Sequence, residues 1–228
     1  YQTERHHYNE QDCTIDTFIV GPKGDFATIG DALAASGTGD TILVSPGIYY
    51  ENIDYTGAGV TIRSTDGADV TIIDAGGNIS VVRMYGSPTD TTILDGFTIT
   101  NGNSPVGGGL HTDGSPQIIN CRFVNNIAKI GGGIFHLENG TAGPAISNTY
   151  FCDNDPEDIY GSWIDGGGNI FGDDCVEDCP ADVSGDSWVN VTDLLTVIDA
   201  WGTDDPDADV NSDGIVNISD LLVIVGNW

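Results

Sequence analysis

Basic residues are what this sequence most lacks. Against 35 acids stand six Lys and Arg, at Arg5, Lys23, Arg63, Arg83, Arg122 and Lys129, giving a formal charge of −29. After Lys129 there is none, although fourteen acids lie between Asp173 and the end. Such a tail repels itself unless cations bind it, so nucleic acid and anionic membrane are excluded as natural partners and metal cations are favoured. Long apolar runs are also missing. Nothing approaches the roughly 18 residues that a membrane-spanning helix needs, so no membrane insertion is expected. No charged segment followed by an apolar one opens the chain, and Tyr1 reads as a mature terminus left by signal removal. Cysteine is sparse and odd in number: Cys13, Cys121, Cys152, Cys175 and Cys179. Spacing does not give their connectivity, although Cys152 with Cys175 or Cys179 would make a clamp. Abundant Gly, Asn, Asp and Thr with little Lys points to a secreted, extracellular protein in a salty or calcium-rich medium.

What is present is repetition. GSPQIINCRFVNN (114–126) lies over AGPAISNTYFCDN (142–154), 28 residues later. GGGL (107–110) recurs as GGGI (131–134), with GGGN at 166–169, and Phe97, Phe123 and Phe151 head segments read as equivalent. Short apolar runs such as TILV (41–44), VTI (60–62 and 70–72), SVV (80–82) and TIL (92–94) are bounded by Gly, Asn, Asp or Ser-Pro turns. Short strands recurring every 20–28 residues describe a parallel β-solenoid of about six or seven coils, stacked about 4.8 Å apart. Inward Ile, Val and Phe form its core. Asn120 and Asn148 are expected to share one turn position and to bond along a ladder. In FATIGDALAAS (26–36) the apolar spacing is helical, and this helix is expected to cap the first coil.

DFATIGDALAAS…GDTILVSPGIYYENI, LDGFTITNG, GGGLHTDGSPQIINCRFVNN and IYGSWIDGGGNIF together resemble the secreted right-handed parallel β-helix proteins of the pectin-lyase-like superfold. The resemblance covers about 20–172. It implies a mostly β fold and raises the expectation of a polysaccharide partner. Enzymes of that group use an arginine base beside calcium, or clustered aspartates with Gly-His-Gly and Arg-x-Lys elements, and none of these elements is present. Arg63, Arg83 and Arg122 read as strand residues pairing with nearby Asp. His111 and His136 follow equivalent Gly-Gly-Gly elements and read as stacked turn residues. Tyr49, Tyr50, Tyr55, Tyr85 and Trp163 are the candidates for stacking on a sugar. No catalytic residue is assigned.

The tail is a second repeat. ADVSGDSWVNVTDLLTVIDAW (181–201) overlays ADVNSDGIVNISDLLVIVGNW (208–228) without a gap, ten of 21 positions being identical. Each copy places oxygen donors at positions 1, 3, 5, 7 and 12 of a twelve-residue loop, the pattern that wraps a hard cation. In the first loop these are Asp182, Ser184, Asp186, the carbonyl of Trp188, and Asp193; in the second, Asp209, Asn211, Asp213, the carbonyl of Ile215, and Asp220. Asn190 and Asn217, at position 9, bind directly or through water. Gly214 stands where the turn favours a positive φ, and Ser187 stands there in the first loop. Pro180 and Pro206 prevent a helix before either loop. After them, Leu194, Leu195, Ile198 and Trp201, and likewise Leu221, Leu222, Val225 and Trp228, read as two apolar helix faces packed together. These motifs closely resemble type I dockerin modules over about 181–228, a small α loop–helix pair holding two Ca²⁺.

The expected organisation is a polar extension (1–19), the β-helix (20–172), a Cys-containing linker (173–180) and the dockerin-like module (181–228). The resemblance implies a cohesin-like partner. Loop positions 10 and 11, however, hold Val191-Thr192 and Ile218-Ser219, and neither helix carries a base. The helix faces then contact the chain's own β-helix or a neighbouring copy. The expected function is a non-catalytic, calcium-stabilised assembly protein forming a homo-oligomer, filament or layer; the alternative is a polysaccharide-binding or polysaccharide-degrading protein anchored through its dockerin. Two divalent ions offset only four of the 29 charges. Loops this small fold on their metal. A chelator is therefore expected to remove the tail's helical circular dichroism, and a spectrum unchanged by EDTA would count against calcium loops.

Overall fold

The computed structural model describes residues 15–55, 59–86, 91–138, 140–172, 181, 183–184 and 189–226. The chain forms two compact units, Tyr1–Cys175 and Val176–Trp228.

The first unit is a right-handed parallel β-helix of about six turns. Its first sheet stacks Thr17–Val20, Thr41–Val44, Thr61–Ser64, Ile93–Asp95, Gln117–Ile119, Ala145–Ser147 and Ile164–Asp165. The second stacks Gly47–Tyr49, Thr71–Asp74, Thr98–Thr100, Arg122–Val124, Tyr150–Cys152 and Ile170–Gly172. The third stacks Ile53–Tyr55, Val82–Met84, Leu110–Thr112, Ile134–His136 and Ile159–Tyr160. A two-stranded sheet pairs Asn103–Ser104 with Ile127–Ala128. Every pairing is parallel, so equivalent residues pile into columns. Ile42, Ile62, Leu94, Ile118 and Ile146 are successive partners and are all buried. Ile73, Ile99, Phe123 and Phe151 form a second column. It ends in rings stacked at 5.2 Å (Phe123–Phe151) and 5.0 Å (Phe151–Phe171). Each such side chain contributes about 1.5–3 kcal/mol by leaving water, which is what three-residue strands need in order to persist.

Some repeat assignments change. Phe151 lies over Phe123, but Phe123 lies over Ile99 and not over Phe97, which is buried two residues earlier. The VTI at 60–62 and that at 70–72 fall in different sheets of one turn. Leu110 pairs with Ile134, as the Gly-Gly-Gly match requires, yet the GGGN segment falls at another corner, where Gly167 accepts from the Asn148 N–H. Glycine stacks at 107–109 and 131–133 for a steric reason. A Cβ at Gly108 would lie 2.6 Å from the Gly132 carbonyl oxygen, and one at Gly109 would lie 2.6 Å from that of Gly133.

Asn120 and Asn148 do share a turn position, with φ of 52° and 48°. The side-chain ladder, however, runs through Asn126 and Asn154. Asn126 is fully buried; its Nδ2 donates to the Ile99 carbonyl (2.9 Å) and to Asn154 Oδ1 (3.0 Å), while its Oδ1 accepts from the Gly102 N–H (2.9 Å). Asn120 Nδ2 instead donates to Asp95 Oδ1. At Asn120 the amide answers a left-handed backbone; at Asn126 it replaces a missing strand hydrogen bond inside the core.

Helix α1 (Ile29–Ala35) packs on the first strands of the first and third sheets, burying Ile29 and Ala32. Thr28 caps it by accepting from the Asp31 N–H. Glu51, just after the first strand of the second sheet, accepts from the Ile29 and Gly30 N–H groups at 2.8 and 2.9 Å. That carboxylate satisfies two donors that no helical carbonyl reaches and sits at the positive end of the helix.

In the second unit, helices α2 (Val191–Asp199) and α3 (Ile218–Gly226) pack together over Ala181, Val197, Ala208, Val216 and Ile224. The inward positions are Leu194 and Val197 on α2, and Leu221 and Ile224 on α3, again 27 residues apart. This corrects the expected faces: Leu195, Ile198, Trp201, Leu222 and Val225 lie about half-exposed or more. Each helix carries two apolar stripes, and the small core admits only the one nearer its partner.

Asn126→Ala is expected to destabilise the first unit by about 2–4 kcal/mol, because it strands the Gly102 N–H and the Ile99 carbonyl. Asn120→Gly should cost under about 1 kcal/mol, since glycine accepts the same φ. Urea unfolding at constant m-value compares the two.

Candidate calcium loops and outer faces

Duplicated loops lead into α2 and α3. In the first loop Asp182, Asp186 and Trp188 lie outside the described residues. Ser184, Asn190 and Asp193 are described. Asp193 is fully buried; its Oδ1 accepts from the Ser184 N–H at 2.9 Å and its Oδ2 from the Asn190 N–H at 2.7 Å. Asn190 Oδ1 accepts from the Thr192 N–H, completing a capping box. The second loop repeats this arrangement. Buried Asp220 accepts from Asn211 N–H at 3.1 Å and Asn217 N–H at 2.7 Å, while Asn217 Oδ1 accepts from Ser219 N–H at 2.8 Å. Asn190 and Asn217 thus serve as helix caps, a role their position before Val-Thr-Asp and Ile-Ser-Asp signals in sequence.

The second loop is otherwise a chain of turns held by its own acids. Asp209 accepts from the N–H groups of Asp213 (3.1 Å) and Gly214 (2.8 Å). Asn211 Oδ1 accepts from Asp213 N–H, and Asp213 Oδ1 from Ile215 N–H. The Ile215 carbonyl accepts from Asn217 Nδ2 at 2.8 Å. Gly214 has φ of 93°, and the loop is entered through turns at Asp205–Asp209. Among the described residues no three His, Cys, Asp or Glu groups converge as a metal cluster. Asp209, Asp213 and Asp220 are spread along the turn and the helix start. The donors nevertheless fit a hard cation: all are oxygens, and a carboxylate accepting one or two N–H bonds keeps lone pairs for a metal. Asp209, Asn211, Asp213, the Ile215 carbonyl and Asp220 would hold Ca²⁺ here, and the ion would supply charge neutralisation and loop closure.

Burial pushes the Asp193 carboxyl up, but the N–H groups of Asn190 and Ser184 outweigh it and hold the pKa below the usual carboxylate value.

The solenoid's outer faces separate the other candidates. Arg63 pairs with Asp95 (2.7 Å), Arg83 with Asp54 through two nitrogens, and Arg122 with Asp69 (2.8 Å). His111 and His136 are not stacked: His111 lies over Phe135 and His136 over Thr112, so they point to opposite sides of the sheet. His136 is buried, its Nε2 2.9 Å from Thr141 Oγ1. His111 faces outward with Nδ1 2.9 Å from the Tyr85 hydroxyl. Burial holds the His111 imidazole below its ordinary value and pushes the Tyr85 phenol up, in each case favouring the neutral form. Tyr85, His111, Phe135 and Tyr160 form a line of rings with centroids 4.9, 5.0 and 5.4 Å apart. The sequence concealed this line because its members come from four turns and three residue types.

Tyr55 belongs to the core, its hydroxyl accepting from Val60 N–H. Tyr49 donates to the Ser45 carbonyl, Trp163 lies against Phe171, and Tyr50 is exposed. A depression of about 340 Å³ beside Tyr49 and Tyr50 contains Glu51, already capping α1. Another of about 400 Å³ contains Asp74, which accepts from Gly76 N–H and Asn101 Nδ2. Neither holds a pair of carboxylates. Val124, not Cys121, lies over Cys152; Cys152 is disulfide-bonded, while Cys121 is free and buried, its thiol pushed up to about 12. Cys13, Cys175 and Cys179 lie outside the described residues.

No family model matches the chain, and no curated protein matches it. Among solved structures, a crystal structure of the pectin methylesterase from Aspergillus niger aligns over 69% of this chain and 67% of its own, with 18% identity and a TM-score of 0.38. The β-helix assignment rests on the sheets themselves and not on this likeness.

Because the folded-state pKa of Asp193 is depressed, its stabilisation is complete above the unfolded value of about 3.9 and is lost as pH falls through the lower folded value. Acid titration followed by the helical signal of the second unit should show this loss at the acid end. In Asp193→Asn that part of the pH dependence should disappear and neutral-pH stability should drop by about 1–3 kcal/mol.

Proposed function

We propose that the protein is a secreted, non-catalytic assembly protein in which a rigid β-helix is carried by a calcium-stabilised module and copies associate into an extracellular filament or layer. The observation that carries this reading is the duplicated closure of the two loops, with Asp193 and Asp220 each accepting two loop N–H groups 27 residues apart. A unit with twelve acids and no base from Val176 onward gains a counter-charge from Ca²⁺. The ion pairs at Arg63, Arg83 and Arg122 support a structural role for these arginines.

A second reading rests on the ring line Tyr85–His111–Phe135–Tyr160. It presents aromatic edges and three polar groups along the solenoid, suited to binding a polysaccharide chain rather than to cleaving it. A glycan array that stays blank would remove this reading.

Electron microscopy of the full chain is expected to show ordered assemblies with millimolar calcium and their loss in EDTA. Dispersed monomers in calcium would overturn the assembly reading.

A further inference from the structure

The second unit exposes a surface that its own core does not use. On α2, Val191, Leu195 and Ile198 are 56%, 58% and 52% exposed; on α3, Ile218, Leu222 and Val225 are 57%, 64% and 55% exposed. These are the same three positions of the 27-residue repeat, so what one helix displays the other displays again. Isolated exposed apolar residues are ordinary on protein surfaces, but two matched stripes on helices that pack together ask for a partner. The acids within the helices avoid these stripes. Asp193 and Asp220 turn inward and are fully buried, leaving Asp199 at the end of α2 as the single outward acid.

We propose that these two stripes are the contact through which one copy of the chain pairs with a second copy, α2 and α3 of one against α2 and α3 of the other about a twofold axis. Charge selects this occupant. A basic partner finds almost no carboxylate in the stripes to receive its cations, and most of this acidic surface repels another copy. A second copy can approach where the charge is absent, and there it brings the same apolar pattern. A twofold contact needs a self-complementary surface, and the internal repeat supplies two equivalent halves. Size agrees. The six stripe side chains together expose on the order of 600 Å² per copy, so a pair that covered them would bury about 1,200 Å², the lower end of the range of about 1,200–2,000 Å² for stable interfaces. The inference deepens the assembly reading above by naming its surface.

The test uses the full chain in calcium, with mass measured by sedimentation across a concentration series. Three proteins are compared: the unaltered chain, Leu195→Asp with Leu222→Asp, and Leu195→Lys with Leu222→Lys. The unaltered chain is expected to pair. Each double variant should weaken pairing more than about 100-fold with an unchanged circular dichroism spectrum, because both side chains already face water. Mixing the Asp and Lys variants should restore the pair, which two misfolded proteins could not do. If the unaltered chain stays monomeric at every concentration, the assembly reading and this contact fall together. If it associates and both variants associate equally well, self-assembly stands and this surface is not its contact. Folded variants that do not pair on mixing overturn the twofold contact. So does a monomer whose stripes are protected from hydrogen exchange, which would mean the chain's own solenoid covers them.

Discussion

Registered stacking is the constraint on which the solenoid depends. A parallel turn of three-residue strands has almost no hydrogen bonds of its own; each backbone group finds its partner in the turn above or below. Successive turns must therefore superpose, and any side chain is placed over its equivalent whether or not the two suit each other. Apolar residues gain from this: the Ile42-to-Ile146 column and the stacked Phe rings are the same contact repeated. Charged residues lose, because outward acids on neighbouring turns stand about 4.8 Å apart. Three of the six bases, all arginines, are spent accordingly. Arg63 sits in register with Asp95, and Arg83 with Asp54, each pair formed between adjacent turns of one sheet. The same rule leaves the first turn with unpaired groups, which α1 covers, and Glu51 ties that helix to the turn it caps.

The second unit meets its charge differently. It has no base, and four of its described acids are held by peptide N–H groups: Asp193 and Asp220 by the loops they close, Asp209 and Asp213 by the turn between them. Backbone dipoles orient these carboxylates without neutralising them. The negative charge stays on the loop, and a cation that meets oxygen donors is the physical remedy the arrangement invites.

The β-helix was legible in the sequence because parallel stacking writes its period directly into the chain, and the match of 114–126 to 142–154 is that period. Which residue lies over which was less legible. Phe97 and Phe123 share a motif but not a column, because turns differ by a residue or two at their corners. The ladder was expected at Asn120 and Asn148, and only the place of Asn126 inside the coil shows that residue replacing strand bonds. The loops were legible as spacing. The helix faces were not, since both stripes of α2 and α3 are apolar and periodicity cannot say which one a small core will take. His111 and His136 show the same limit in a strand: one residue of offset sends equivalent-looking histidines to opposite sides.

Those two apolar stripes bear on how a chain of charge −29 could associate at all. Repulsion between copies falls off over about 8 Å at physiological ionic strength, so a contact must either neutralise acids or avoid them. The solenoid's three paired arginines are committed to its own aspartates, which leaves Lys23 and Lys129 as the exposed bases among its described residues, far too few to offset another copy's acids. The second unit buries Asp193 and Asp220 in the act of closing its loops, and the same closure starts the helices that carry the stripes. Loop closure and display of an uncharged surface are therefore one structural event. Whatever stabilises the loops stabilises the surface, which on the calcium reading makes association depend on the ion without the ion having to sit between copies.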